Sequence, residues 1–244
     1  MTKLYKKNEL WFALVWIGVY VVGSSLADEA SRALGVEKSV TLAAHALMSA
    51  ALLVWVLRNH LAGKYGLCRP NAPASRFLFY LPLAVVASTS LWSGAQMNLS
   101  FAETLCFVLS MLCVGLLEEL IFRGLLFRAL ERESLPQAVV ISSLTFGLGH
   151  IVNAVNGSGQ SLPETLFQIV FAILVGFALV MLFLRAGSLI PCVIFHSVNN
   201  ALSAFEGSST LSPLATVLIN AALLLMLAGY AFYLYRLKGE SAGR

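Results

Sequence analysis

The sequence predicts an all-α protein, a polytopic bundle of about eight transmembrane helices. Of the 244 residues, 59% are hydrophobic and only 11% are charged, whereas soluble domains average about 45–50% apolar and about 25% charged residues. So little charge cannot cover a water-soluble body of this size. Apolar stretches close to 20 residues long also recur along the chain, which is the length a helix needs to cross a bilayer core about 30 Å thick.

The apolar stretches predict about eight membrane spans. The third is interrupted by Pro82 and by small polar residues. The predicted spans are 10–27, 39–57, 77–95, 102–127, 137–156, 164–184, 188–205 and 213–235. No repeat, low-complexity tract or linker divides the chain. We therefore expect a single integral-membrane domain over 1–244, with its motif core at 102–205.

The first apolar stretch allows two interpretations. The Lys-rich start, the apolar run and the small residues around Ala27 are compatible with a signal peptide and its cleavage site. Because the run is long for a signal peptide, we expect an uncleaved first helix.

The distribution of Lys and Arg predicts that both termini are cytoplasmic. With the N-terminus inside, the outer segments 93–101, 157–163 and 206–212 contain no Lys or Arg, and only Arg32 and Lys38 fall in an outer loop. The predicted cytoplasmic residues are Lys3, Lys6, Lys7, Arg58, Lys64, Arg69, Arg76, Arg128, Arg132, Arg185, Arg236, Lys238 and Arg244. Since the basic residues are spread between spans, the net charge of +4 indicates contact with a lipid bilayer and not with nucleic acid.

Charged side chains lie inside the fourth predicted span, where a charge at the helix centre costs about 2.5–3.5 kcal/mol. Glu119 and Arg123 are four residues apart with the acid first, which places them on one helix face in the favourable order for an ion pair. The adjacent Glu118 has Phe122 at the corresponding position. We therefore predict a supporting ion pair and expect Glu118 to meet a partner from another helix or water.

Two further polar groups lie in the fifth and seventh spans. Phe146 and His150 are four residues apart and share a helix face, as do His196 and Asn200. The glycines Gly147 and Gly149 predict a close approach of a neighbouring backbone.

Depth in the membrane indicates that these groups meet. Counted from the predicted cytoplasmic ends, the side chains of Glu118, His150, His196 and Asn200 lie roughly 12–20 Å deep. A single intramembrane His or Asn often only joins helices. Four polar side chains from three helices at similar depth favour one interior cavity.

The residue types in this predicted cavity suit hydrolysis by water. The Gly-x-Ser-x-Gly and His-Glu-x-x-His motifs are absent, as is a Gly-rich phosphate loop. A carboxylate desolvated among apolar side chains becomes a better general base, so Glu118 would take a proton from a water that His150 holds. His196 and Asn200 would donate hydrogen bonds to the developing oxyanion.

A metal site is an alternative interpretation of the same residues. Glu118, His150 and His196 match the two-His, one-carboxylate ligand set of catalytic zinc. Asn is a poor zinc ligand, and its pairing with His196 is more typical of an oxyanion hole. We therefore expect no metal or other cofactor, with a zinc-dependent protease as the alternative.

Three motifs carry a family resemblance. Glu-Glu-x-x-x-Arg at 118–123, Phe-x-x-x-His at 146–150 and His-x-x-x-Asn at 196–200 occur in this order on separate predicted spans. The set resembles the CPBP (CAAX protease and bacteriocin-processing, or Abi) family of intramembrane glutamic endopeptidases, which has long been labelled a metalloprotease family.

The resemblance implies a bundle of eight helices around a cavity, and it implies roles for the motif residues. Glu118 is then the catalytic glutamate and His150 activates water with it, while His196 and Asn200 form the oxyanion hole. The supporting positions fall on Glu119, Arg123 and Phe146. Some relatives remove the last three residues of prenylated CAAX proteins. Bacterial relatives are associated with peptide maturation, immunity and regulated membrane proteolysis.

We therefore predict an intramembrane endopeptidase that hydrolyses a peptide bond in a membrane-associated protein or peptide. The short loops fit a bacterial enzyme, so the expected location is the cell membrane, as a multi-pass protein. Two other classes stay open: a non-proteolytic membrane immunity or binding protein that uses the cavity for recognition, and a proton-coupled transporter. No inverted repeat is apparent in the sequence, which disfavours the transporter.

Overall fold

The computed structural model describes residues 1–71, 73–154, 159–208 and 211–237, and in these ranges the chain is helical, with no β-strand. The α-helices are α1 (Thr2–Lys7), α2 (Glu9–Leu34), α3 (Ser39–Arg58), α4 (Leu81–Ser88), α5 (Phe101–Glu118), α6 (Arg128–Leu130), α7 (Leu135–Gly149), α8 (Leu162–Ala186), α9 (Ile190–Leu202) and α10 (Pro213–Arg236). A π-helix joins α5 to α6 over Glu119–Phe127, and 3₁₀ turns cover Ala74–Tyr80, Thr89–Leu91, His150–Ala154 and Ser203–Phe205.

The predicted all-α polytopic bundle is confirmed. Six segments are long and apolar enough to cross a membrane: Glu9–Leu34, Ser39–Arg58, Phe101–Leu130, Leu135–Ala154, Leu162–Ala186 and Pro213–Arg236. Two shorter apolar segments, Leu81–Leu91 and Ile190–Phe205, lie within the third and seventh predicted spans. The count of eight crossings stays a prediction. Residues 155 and 156 of the fifth predicted span, Lys238 and Arg244 lie outside the described residues.

One end of the bundle is held by contacts between loops that the charge pattern places on a common side. The Lys64 ammonium lies 2.6 Å from one oxygen of Glu9, and the Arg132 guanidinium lies 3.0 Å from the other. The backbone N–H of Leu189 donates to the carbonyl of Gly66 at 2.7 Å. The start of α2, the loop after α3, the loop after α6 and the α8–α9 turn therefore meet.

The opposite end joins the loops that the charge pattern places on the other side. The backbone N–H of Glu37 donates to the Glu103 carboxylate at 3.1 Å. The N–H of Gln96 donates to the carbonyl of Phe205 at 2.9 Å. These loops therefore share one end, and the assignment of that end to the outside stays a prediction.

Close packing of α5 against α9 depends on a glycine. A Cβ placed on Gly115 would lie 2.2 Å from the Ser197 hydroxyl and 2.5 Å from its backbone nitrogen. Gly147 has a similar role between α7 and α8, because its Cβ would lie 2.3 Å from the side chain of Ile173. The same prediction for Gly149 is wrong, because no atom of another described helix lies within 4 Å of a Cβ placed there.

The π-helix that follows α5 lies in the centre of the bundle. All nine of its residues are buried. Its turns are closed by i→i+5 hydrogen bonds, a form that is rare in proteins and frequent at functional sites. The transition from α to π occurs between Glu118 and Glu119, so the two carboxylates stand at the junction of two helical geometries.

Labelling of single cysteines tests the predicted topology. Cys68 is exposed in the loop after α3, and Met97, which is 53% exposed, lies beyond α4. In variants with one cysteine each, a membrane-impermeant maleimide should label Met97→Cys in intact cells and Cys68 only in inverted vesicles. Labelling of both from one side would show that the chain does not cross between them.

The glycine contact gives a stability prediction. Gly115→Ala should lower the free energy of unfolding in detergent by about 1–3 kcal/mol, the usual cost of overpacking, because the new methyl meets the Ser197 backbone. Gly229→Ala is the matched control, since nothing lies within 4 Å of that helical glycine and alanine favours helix. Equal stability of the two variants would contradict the close α5–α9 contact.

Candidate active site

The Glu118 carboxylate at the end of α5 is held from two other helices. The Tyr20 hydroxyl on α2 donates a hydrogen bond to Oε1 at 2.6 Å. Nε2 of His196 on α9 lies 3.2 Å from Oε2. The Glu118 side chain is only 12% exposed, so it faces the protein interior and not the lipid chains, as expected of a carboxylate with no partner on its own helix.

His196 bridges two neighbouring carboxylates. Its Nδ1 lies 2.8 Å from Oε1 of Glu119, while its Nε2 faces Glu118. The same Glu119 oxygen accepts a hydrogen bond from the Arg123 guanidinium at 2.9 Å, and both of these side chains are fully buried. The four groups therefore form a continuous chain of contacts in the order Glu118, His196, Glu119, Arg123.

The ring of Phe146 connects this chain to the fifth predicted span. The Arg123 guanidinium lies over the ring, 4.1 Å from its centroid. The rings of His150 and His196 both approach it in T-shaped geometry, at centroid distances of 5.3 and 5.6 Å. Such stacked and edge contacts hold planar groups in defined orientations, so Phe146 positions both imidazoles.

The hydrogen bond of His150 fixes its tautomer. His150 follows the last residue of α7, and its Nδ1 lies 3.1 Å from the backbone carbonyl of Phe146. Since a carbonyl only accepts hydrogen bonds, Nδ1 carries the proton and, in the neutral ring, Nε2 keeps its lone pair. His150 can therefore accept a hydrogen bond or a proton at Nε2.

Glu118 and His150 line the same cavity, which has a volume of about 210 Å³. A polar cavity of this size holds several water molecules or part of a peptide. Its polar lining comes from Tyr20, Ser24, Ser25, Asp28, Lys38, His45, Glu118, His150, Asn153 and Gln168. The cavity therefore has room beside the carboxylate for several water molecules or for part of a peptide.

Asn200 is placed differently from the other predicted site residues. Its side-chain oxygen accepts a hydrogen bond from the Asn199 amide at 3.2 Å, and its backbone carbonyl accepts one from Ser203 at 2.7 Å. In the described part of the chain its side chain makes no hydrogen bond to Glu118, His150 or His196. His196 contacts carboxylates through both ring nitrogens, so the structure does not join it to Asn200.

Polar residues of α2 and α3 were missed by the motif analysis. His45, 3% exposed, bonds the hydroxyls of Ser24 at 2.9 Å and Ser110 at 2.8 Å, and it lines the cavity. The available signal was the spacing of Tyr20, Ser24 and Asp28 at four-residue intervals, which places all three on one face of the first span.

The zinc alternative does not fit the arrangement of these residues. Within the described ranges, no group of three or more His, Cys, Asp or Glu side chains could hold a metal ion. Nδ1 of His150 is bonded to the Phe146 carbonyl, and both nitrogens of His196 face carboxylates. We therefore derive no step through a metal.

Comparison with known proteins identifies the motif-bearing segment. Residues 98–202 match the family model for type II CAAX prenyl endopeptidases, Rce1-like. The matched stretch begins just before α5, ends with α9 and contains all three motifs. No curated protein and no solved structure gave a match to the chain.

A double-mutant cycle tests the buried ion pair. Arg123→Met should destabilise the protein in detergent by about 3–5 kcal/mol, because it leaves the Glu119 charge buried without its partner. Glu119→Gln in the same chain should recover part of that loss, and unfolding free energies of the four proteins measure the coupling. Strictly additive effects would show that the two charges do not interact.

Proposed function

We propose that this chain is a glutamate-dependent intramembrane endopeptidase of the type II CAAX prenyl endopeptidase Rce1-like family. The match of residues 98–202 to that family's model supports the proposal, as does the resemblance of the three motifs to those of CPBP proteases. The observation that carries the proposal is the placement of the Glu118 carboxylate. It contacts His196 and shares a cavity with His150, whose Nε2 is free to accept.

The first step is activation of water. A water between Glu118 and His150 gives a proton to the Glu118 carboxylate while its oxygen attacks the peptide carbonyl carbon. Nε2 of His150 accepts a hydrogen bond from the same water and so directs its lone pair toward the carbonyl. A general base within hydrogen-bond reach typically contributes about 10²–10⁴-fold to the rate.

The second step is stabilisation of the oxyanion by His196. The carboxylates of Glu118 and Glu119 outnumber the single guanidinium of Arg123, and unpaired buried charge is costly. A protonated His196 makes the group of four neutral and carries a proton on each nitrogen. Its Nδ1–H stays on Glu119. Its Nε2–H faces Glu118 before the reaction and donates to the oxygen of the tetrahedral intermediate once Glu118 has taken up the proton of water.

The reaction ends with transfer of the proton from Glu118 to the leaving nitrogen. The C–N bond breaks, one product keeps the hydroxyl of water as a carboxylic acid, and the other leaves as an amine. Glu118 returns to the carboxylate. Asn200 joins the oxyanion site in this scheme only if its side chain leaves Asn199 when the substrate binds.

The proposed substrate is a membrane-associated peptide or protein. The matched family implies a peptidase, and six helices of the described residues are long and apolar enough to cross a membrane. The cavity lining offers hydrogen-bonding groups to a peptide backbone. We further propose a multi-pass protein of the bacterial cell membrane that needs no cofactor.

Replacement of the Glu118 carboxylate by an amide tests the proposal and identifies the substrate in the same experiment. Membrane peptides from cells with wild-type protein should include products that are lost with Glu118→Gln, because an amide cannot accept the proton of water. Glu29→Gln is the matched control, since that carboxylate is exposed and pairs only locally with Arg32. Purified protein should cleave the identified peptide equally well after treatment with EDTA.

Three outcomes would contradict this assignment. Normal cleavage by Glu118→Gln would remove Glu118 from the mechanism. Loss of activity with EDTA, restored by zinc, would favour the metal-dependent alternative. A cellular phenotype that survives Glu118→Gln, with partner binding intact, would favour a non-proteolytic immunity or binding protein.

A further inference from the structure

The shortest contact of the Glu118 carboxylate comes from a helix that none of the three motifs includes. The Tyr20 hydroxyl lies 2.6 Å from Oε1 of Glu118, whereas the His196 contact to Oε2 is 3.2 Å. Tyr20 lies on α2, outside the residues 98–202 that match the family model. The first long helix therefore reaches the proposed catalytic group directly.

The direction of this hydrogen bond has a chemical consequence. A phenol hydroxyl donates to an ionised carboxylate, and such a charge-assisted O–H···O bond is short and about twice as strong as a neutral one. Because the bond joins α2 to the end of α5, it holds the Glu118 carboxylate in one orientation. The two carboxylate oxygens are then held from opposite sides, Oε1 by Tyr20 and Oε2 by Nε2 of His196.

The surroundings of Tyr20 argue against a purely packing role. Its ring lies on the cavity wall near His45, with 6.0 Å between ring centroids. Its hydroxyl has the Glu118 carboxylate as its hydrogen-bond partner. A phenylalanine would fill the same space, so the hydroxyl is the part of this side chain that the site requires.

We propose that Tyr20 is a positioning residue that fixes the orientation of the Glu118 carboxylate, so that α2 completes the active site. This inference rests on the proposed function, because it assigns Tyr20 to the same glutamate. It also requires that α2 remains in the mature protein, since cleavage after Ala27 would remove Tyr20.

The test compares two tyrosine-to-phenylalanine variants by infrared spectroscopy and by kinetics. The difference spectrum of wild type and Glu118→Gln isolates the Glu118 carboxyl bands without any substrate. Tyr20→Phe should shift those bands, because the carboxylate loses a donor. Tyr230→Phe is the matched control, since within the described residues that buried hydroxyl has one hydrogen-bond contact, at 3.5 Å to the Phe77 carbonyl, and lies outside the cavity lining, and it should leave the bands unchanged.

The second measurement is kinetic. Its substrate is the peptide whose cleavage is lost in Glu118→Gln cells. Tyr20→Phe should lower kcat about tenfold or more, the rate equivalent of losing a hydrogen bond to a charged group, with KM changed less than about twofold. A loss of packing alone would alter KM and stability together and would leave the Glu118 bands in place.

The proposal is overturned by unchanged Glu118 bands and wild-type kcat in Tyr20→Phe, or by an active mature protein that begins after residue 27. Failure of the proposed protease function is distinguishable, because the wild type would then cleave no peptide. The infrared comparison would still decide whether Tyr20 holds Glu118.

Discussion

The neutralisation of buried charge is the constraint on which the rest of the structure depends. Glu119 and Arg123 are fully buried, and Glu118 and His196 are nearly so. Charges in a membrane interior are tolerated when they pair with each other. Pairing here requires α9 to lie against α5, and the absent side chain of Gly115 allows that contact. The packing of α5 against α9 and the pairing of the buried charges therefore depend on each other.

The π-helix and Phe146 connect the paired charges of α5 and α9 to α7, the other helix that carries a motif. Glu118 ends a regular α-helix and Glu119 begins the π-helix, and their carboxylates reach the two opposite nitrogens of His196. Arg123, held by Glu119, stacks on Phe146, whose backbone carbonyl fixes the tautomer of His150. The supporting ion pair thus orients both imidazoles, one by direct contact and one through the aromatic ring.

The sequence predicts the features whose absence would cost much free energy, such as the pairing of a charge in lipid. It does not predict contacts that carry no such cost. Apolar length and the spacing of Glu119 and Arg123 predicted the spans and their ion pair, because unpaired charge in lipid is expensive. Tyr20 gave no such signal, since a tyrosine is common in apolar helices and its partner is 98 residues away. The contact of Asn200 with Asn199 depends on side-chain conformation, which residue spacing does not determine.

The polar residues that line the cavity include three from one face of α2, which bears on how water reaches the carboxylate. On one side, the π-helix, whose nine residues are all buried, contributes Phe122 to the lining. On the other side, Tyr20, Ser24 and Asp28 follow one face of α2 for roughly 12 Å. This face ends at the Asp28–Lys38 ion pair, 2.7 Å long and partly exposed, near the loop where Glu37 contacts Glu103. Polar side chains along this face therefore lead from Glu118 toward one end of the bundle and give water a polar path toward the carboxylate.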